Sequence, residues 1–150
     1  MLTVIEKVIF LQNVDVFAGI GTEELAYLAA IAEERTIAED ETIYTEGDAS
    51  DALYLVLDGA VRMHRGEEEI ARAESRQAFG TWALFDDEPR VASATTLVET
   101  RLLRIDRDEF IDLLADHVQI TRGILKTVVG RLRGLLERIG IEPASGGKEA

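Results

Sequence analysis

Between Thr36 and Ile105 the sequence alternates short apolar runs with turn-forming residues, and this rhythm limits the fold more than any other feature of the chain. The runs are Thr42–Thr45, Ala52–Leu57, Ala60–His64, Glu69–Ala73, Val91–Leu97 and Thr100–Ile105. Gly47-Asp48, Asp58-Gly59 and Arg65-Gly66-Glu67 separate several of them, and such residues supply the positive φ and local hydrogen bonds that tight turns require. Several short strands at this spacing predict a sandwich or jelly-roll barrel, with the clearest hairpins at Asp58-Gly59 and Arg65-Gly66-Glu67.

Helical periodicity brackets the strands. Val4, Ile5, Val8, Ile9 and Leu11 predict a short amphipathic helix over residues 3–12. Thr22 is expected to cap a second helix with Leu25, Leu28, Ala29 and Ala32 on its buried face, ending near Glu34. Asp106 restarts helix, with Glu109 at the capping-box position. A longer helix is expected from about Val118 to Ile139. Its residues Leu125, Val128, Leu132, Leu135 and Ile139 alternate spacings of three and four, a short coiled-coil seam that Ile124, Val129 and Leu136 widen. Gly140 should stop it, leaving residues 140–150 as a flexible tail. These patterns predict one domain over 1–139, with a β-roll at about 36–105 and C-terminal helices at about 106–139.

Charge narrows the function. The chain has 150 residues, 29 acidic against 16 basic, and a formal net charge of −13. That field repels nucleic acid and anionic membrane surfaces, so neither is an expected partner, whereas a small anion can bind in a locally compensated pocket. With no cysteine, disulfides and thiolate chemistry are excluded. The run Leu2–Leu11 contains Glu6 and Lys7 and is too short for a signal segment or a span, so a cytoplasmic protein is the default expectation.

Residues 79–96, FGTWALFDDEPRVASATT, offer such a pocket. Gly80 lets the main chain approach a ligand closely. Thr81 to Phe85 can form one helical turn whose free N–H groups converge on an anion. Arg90 adds an always-charged planar fork, and Pro89 restricts where it points.

This stretch resembles the phosphate-binding cassette of the cyclic-nucleotide-binding domain family. The family pattern is F-G-E-(aliphatic)-A-L, four variable residues, then P-R-x-A-(T/S). Phe79, Gly80, Ala83, Leu84, Pro89, Arg90, Ala92 and Ser93 match it. Thr81 stands where the family has an acidic residue. Glu46-Gly47-Asp48, followed by Asp51–Val61, looks like the family's other motif, and a looser resemblance runs from about residue 10 to 139.

The resemblance implies a cyclic nucleotide, such as cyclic AMP, as the ligand, with no other cofactor and no metal. Its binding residues would be Phe79, Gly80, Thr81, Trp82, Ala83, Leu84, Arg90, Val91, Ala92 and Ser93. Arg90 would pair with a phosphate oxygen, amides near Ala83 and Val91 would complete the cradle, and the Ser93 hydroxyl would help to place the purine. At Thr81 a neutral hydrogen bond replaces a charged one to the ribose, a loss on the order of 1–2 kcal/mol. Asp86, Asp87 and Glu88 are close enough in sequence to occupy the Arg90 fork when no ligand is bound. Gly47 and Gly59 read as plain turn glycines, and Trp82 as a core or pocket-wall residue. The 125–139 seam reads equally as intramolecular packing or as a homodimer interface.

Enzyme chemistry finds little support. His64 and His117 lie far apart, and no metal-ligand spacing, G-x-S-x-G elbow or phosphate-binding P-loop occurs. A helix-turn-helix output domain is not expected either, since about ten residues follow Ile139. The expected function is therefore sensing, with residues 106–139 as lid and output surface. The alternative is a degenerate member of the same fold that binds no nucleotide and serves as an interaction or dimerisation module for a larger protein partner.

Overall fold

A computed structural model describes residues 1–140. Helix α1 (Val4–Leu11), a 3₁₀ turn (Asp15–Phe17) and helix α2 (Thr22–Ile31) precede eight strands, and α3 (Arg107–Asp116) and α4 (Val118–Arg138) follow them. The strands are β1 (Ala32–Ile37), β2 (Thr42–Tyr44), β3 (Ala52–Asp58), β4 (Ala60–Arg65), β5 (Glu68–Glu74), β6 (Ala78–Phe79), β7 (Ser93–Thr96) and β8 (Thr100–Asp106). They form two antiparallel four-stranded sheets, in the orders β1-β8-β3-β6 and β2-β7-β4-β5. This is the expected jelly-roll with flanking helices.

Alternation along β3 explains the layering. Leu53, Leu55 and Leu57 point to one face and join a core made with Leu11, Phe17, Leu25, Leu28, Phe110 and Ile120 from the helical segments. Ala52, Tyr54 and Val56 point to the other face and meet Val61, Ala73, Phe79 and Ala94 between the sheets. A strand buried on both faces reads as a continuous apolar run. Ala52–Leu57 is buried at all six positions. The first sheet is thus the middle of three layers.

Several boundaries differ from the expected ones. Helix α2 ends at Ile31, and Ala32–Ile37 pairs with β8 from Ala32↔Ile105 to Ile37↔Thr100. Cross-strand pairing there overrides the helical lean of Ala32–Glu34. The N-cap of α2 is Gly21, and Thr22 is the first helical residue. Asp106 does cap α3, accepting the Glu109 N–H at 3.1 Å. Helix α4 gives way at Ile139, with Gly140 at φ 80°. The expected tail beyond Gly140 lies outside the described residues.

Only the first turns of α4 are buried, at Ile120, Gly123 and Ile124. There two backbones meet closely: a Cβ on Gly123 would stand 2.7 Å from the Gly19 carbonyl oxygen. Farther along, Leu125, Val128, Leu132, Leu135 and Ile139 are all exposed. The seam therefore does not pack against the described residues. No helix of the described residues is long and apolar enough to cross a membrane.

Candidate functional site

The main chain of Arg90 is held like a strand by the turn at 45–48. Its N–H donates to the Asp48 carbonyl at 2.8 Å, and its carbonyl accepts the Gly47 N–H at 2.9 Å. Gly47 adopts φ 91°, a conformation glycine takes without strain. The Asp48 carboxylate closes the turn by accepting the Thr45 N–H at 2.9 Å. The second motif thus positions the first.

From this anchor the Arg90 side chain runs inward and is 3% exposed. Nη2 donates to the Ala52 carbonyl at 2.8 Å and approaches Asp51 Oδ1 at 3.5 Å. The guanidinium carbon lies 3.9 Å from the Tyr44 ring centre and 5.9 Å from that of Tyr54. Nε is buried with no hydrogen-bond partner. A buried cation needs pairing, so one carbonyl, a carboxylate at the limit of contact and two ring faces leave it under-compensated.

Gly80 makes room for this arrangement. It has φ 71°, and a Cβ there would come within 2.6 Å of Arg90 Nη1. Its left-handed conformation starts the 3₁₀ turn Thr81–Leu84, whose N-cap it is. Tyr44, Tyr54 and Phe79 form an aromatic floor, with the Tyr54 and Phe79 rings stacked at 5.2 Å. Burial pushes the Tyr44 phenol above its ordinary pKa, and the Arg90 charge only partly opposes this.

A cavity of about 640 Å³ opens beside the guanidinium. Phe79, Gly80, Trp82, Ala83, Arg90, Val91 and Ala92 line it, together with Tyr44, Met63 and Ile70. Three residues expected at the site are placed elsewhere. Leu84 belongs to the helical-side core with Phe110. The Ser93 hydroxyl accepts the Glu46 N–H at 2.9 Å, facing the 45–48 turn. Thr81 lines a neighbouring cleft on the far side of Trp82.

Other details also depart from expectation. The Ala83 N–H closes the 3₁₀ turn onto the Gly80 carbonyl at 3.2 Å. The acidic loop leaves Arg90 alone: Asp87 pairs with Arg107, and the Glu88 carbonyl accepts the Ser50 hydroxyl at 2.8 Å. Asp51 takes the role expected of that loop. Trp82 is 68% exposed and forms a rim. Tyr44, Tyr54 and Asp51 join the site with little local sequence signal, because each meets Arg90 across more than thirty residues of sequence. The one local hint was aromatic residues in two apolar runs. The histidines serve structure: His64 is held between the Gly66 carbonyl and the Thr95 hydroxyl, and His117 stacks on Tyr27.

Residues 34–117 match the sequence profile of the cyclic nucleotide-binding domain. The chain belongs to the cyclic-nucleotide-binding domain family. The CRP-like cAMP-activated global transcriptional regulator of Mycobacterium tuberculosis is 30% identical over 128 residues, 82% of this chain and 57% of the relative. A cAMP-dependent protein kinase regulatory subunit of Emericella nidulans is 34% identical over 115 residues, 75% of this chain and 28% of the relative. Among solved structures, the N-terminal domain of a transcriptional regulator from Streptomyces coelicolor superimposes with a TM-score of 0.80 at 30% identity, covering 88% of this chain and 96% of that one. This cyclic-nucleotide-binding domain spans 57% of the length of the Mycobacterium tuberculosis regulator and 28% of that of the Emericella nidulans regulatory subunit. Those relatives are regulators and regulatory subunits.

Proposed function

We propose that the chain is a regulatory sensor that binds a cyclic nucleotide, such as cyclic AMP, at residues 79–93 and relays binding through α3 and α4. Arg90 carries this reading: a buried guanidinium with an unpartnered Nε beside a cavity of about 640 Å³. A cyclic phosphate would replace the long contact to Asp51 and give Nε an acceptor. Such a charge-assisted pair is worth roughly 1.5–3 kcal/mol, or about tenfold to a hundredfold in affinity.

The cassette is mechanically joined to α3. Phe85 meets Phe110 edge to face at 5.8 Å, Leu84 sits in the same core, and Asp87 pairs with Arg107. A shift of the 81–87 segment on binding would therefore load the first turn of that helix. The ligand must favour one helix arrangement over the other for this to act as a switch. The exposed seam of α4 supports a homodimer through residues 118–139, since a three-four apolar stripe is suited to a second copy of itself.

Fluorescence of Trp82, the single tryptophan, tests the reading. Cyclic AMP or cyclic GMP is expected to give a saturable change that Arg90→Ala abolishes, and Thr81→Glu is expected to tighten binding about tenfold. Silence of both wild type and Thr81→Glu at millimolar nucleotide would sink it. The second reading, a fold that binds no nucleotide and serves a larger protein partner, is favoured by Thr81 lying outside the Arg90 cavity. A response gained only in Thr81→Glu would support it.

A further inference from the structure

The cleft on the far side of Trp82 has a volume of about 450 Å³, and its wall carries Arg72, Arg76 and Arg131 against one carboxylate, Asp15. That local excess of positive charge stands out in a chain of net charge −13. The cleft and the Arg90 cavity share a wall made of Met63, Ala71, Ala78 and Trp82, so the two hollows are contiguous. Thr81 also lines the cleft. An acidic residue at that position would add negative charge to this wall, whereas threonine leaves it open to an anion.

We propose that the arginine cleft is a second anion subsite and that the ligand is a nucleotide carrying two separated phosphate groups. This rests on the reading of Arg90 as a phosphate ligand. One phosphate binds at Arg90, the second faces Arg72, Arg76 and Arg131, and the apolar body between them crosses the shared wall beside Trp82. Arg131 pairs with Asp15 at 3.0 Å, a single exposed contact that is readily exchanged, whereas Arg72 holds Glu69 by two hydrogen bonds at 3.0 and 3.1 Å that the second phosphate has to displace. Arg76 lies over the Phe10 ring at 5.3 Å and has no carboxylate partner among the described residues. Arg131 belongs to α4, so the second phosphate would contact that helix directly.

Calorimetric titration of the full chain with cyclic AMP, cyclic di-AMP, cyclic di-GMP and adenosine 3′,5′-bisphosphate tests this. At least one two-phosphate probe is expected to bind tenfold or more tightly than cyclic AMP, and the pattern among the three shows whether the phosphates must lie in a ring. Arg72→Gln combined with Arg76→Gln should remove that advantage and leave cyclic AMP affinity unchanged. Thr81→Glu should weaken the two-phosphate probe while strengthening cyclic AMP. Arg90→Gln should weaken both. Cyclic AMP binding as tightly as every two-phosphate probe, or equal losses for both ligand types in the Arg72/Arg76 variant, would overturn the second subsite and leave the Arg90 reading standing. Absence of binding by all four probes would overturn both.

Discussion

The guanidinium carbon of Arg90 stands 3.9 Å from the centre of the Tyr44 ring, the arginine side chain buried and the tyrosine half-buried against the core between the two sheets. The ring face partly compensates a cation that has few other partners. Removing the ring while keeping the charge should therefore be harmful. Tyr44→Leu is expected to lose about 2 kcal/mol in urea denaturation, and Tyr44→Phe, which keeps the ring face, much less.

The converse change should behave differently. Arg90→Met replaces a buried, incompletely bonded cation by an apolar chain of similar length. Such replacements are often neutral or stabilising by about 1–4 kcal/mol. Arg90→Met is expected to bind no nucleotide and to unfold at equal or higher urea. A large loss of stability would show that the arginine holds the fold together rather than waiting for a ligand.

Gly80 is constrained twice, by φ 71° and by the 2.6 Å approach that a Cβ would make to Arg90 Nη1. Gly80→Ala should cost about 1–2 kcal/mol in backbone strain and push the guanidinium out of position. Thermal melts should report the first effect and nucleotide titration the second. Unchanged affinity would mean that Nη1 does not need its present place.

The Tyr44 phenol is raised above 10.0 by burial. The folded protein therefore holds this proton more tightly than the unfolded chain. The stability it contributes is complete below pH 10 and is lost as pH rises through the folded value. Ultraviolet titration of the phenols should show a late ionisation that disappears in Tyr44→Phe, and the alkaline fall in stability should shrink in that variant.

The seam on α4 makes a prediction about assembly. Leu132→Glu lies at an exposed position and should leave the monomer folded, while a dimer through this helix should dissociate. Sedimentation of wild type and variant at micromolar concentration decides the matter. A wild-type monomer would leave the stripe without its second copy.

What the sequence made legible follows from the range of the forces involved. Strand runs and turns were readable because alternation and turn chemistry are local, as in Ala52–Leu57 and Asp58-Gly59. Ala32–Glu34 misled because its pairing with β8 joins residues some seventy positions apart. At the site, Phe79, Gly80 and Arg90 were found through their pattern, and the cavity brings them together. Ser93 was drawn away by the Glu46 amide, and Thr81 turned into the other cleft because Ala83 and Leu84 take the buried side of the same short turn. Sequence spacing alone does not say which way a four-residue turn faces.

The two hydrogen bonds between the 45–48 turn and the Arg90 backbone have an evolutionary consequence. A single insertion or loss near Gly47 would misplace the arginine without altering one residue of the cassette. Members of this family in which the cassette is intact but that upstream corner has drifted are therefore expected to be silent receptors, however complete their binding motif reads.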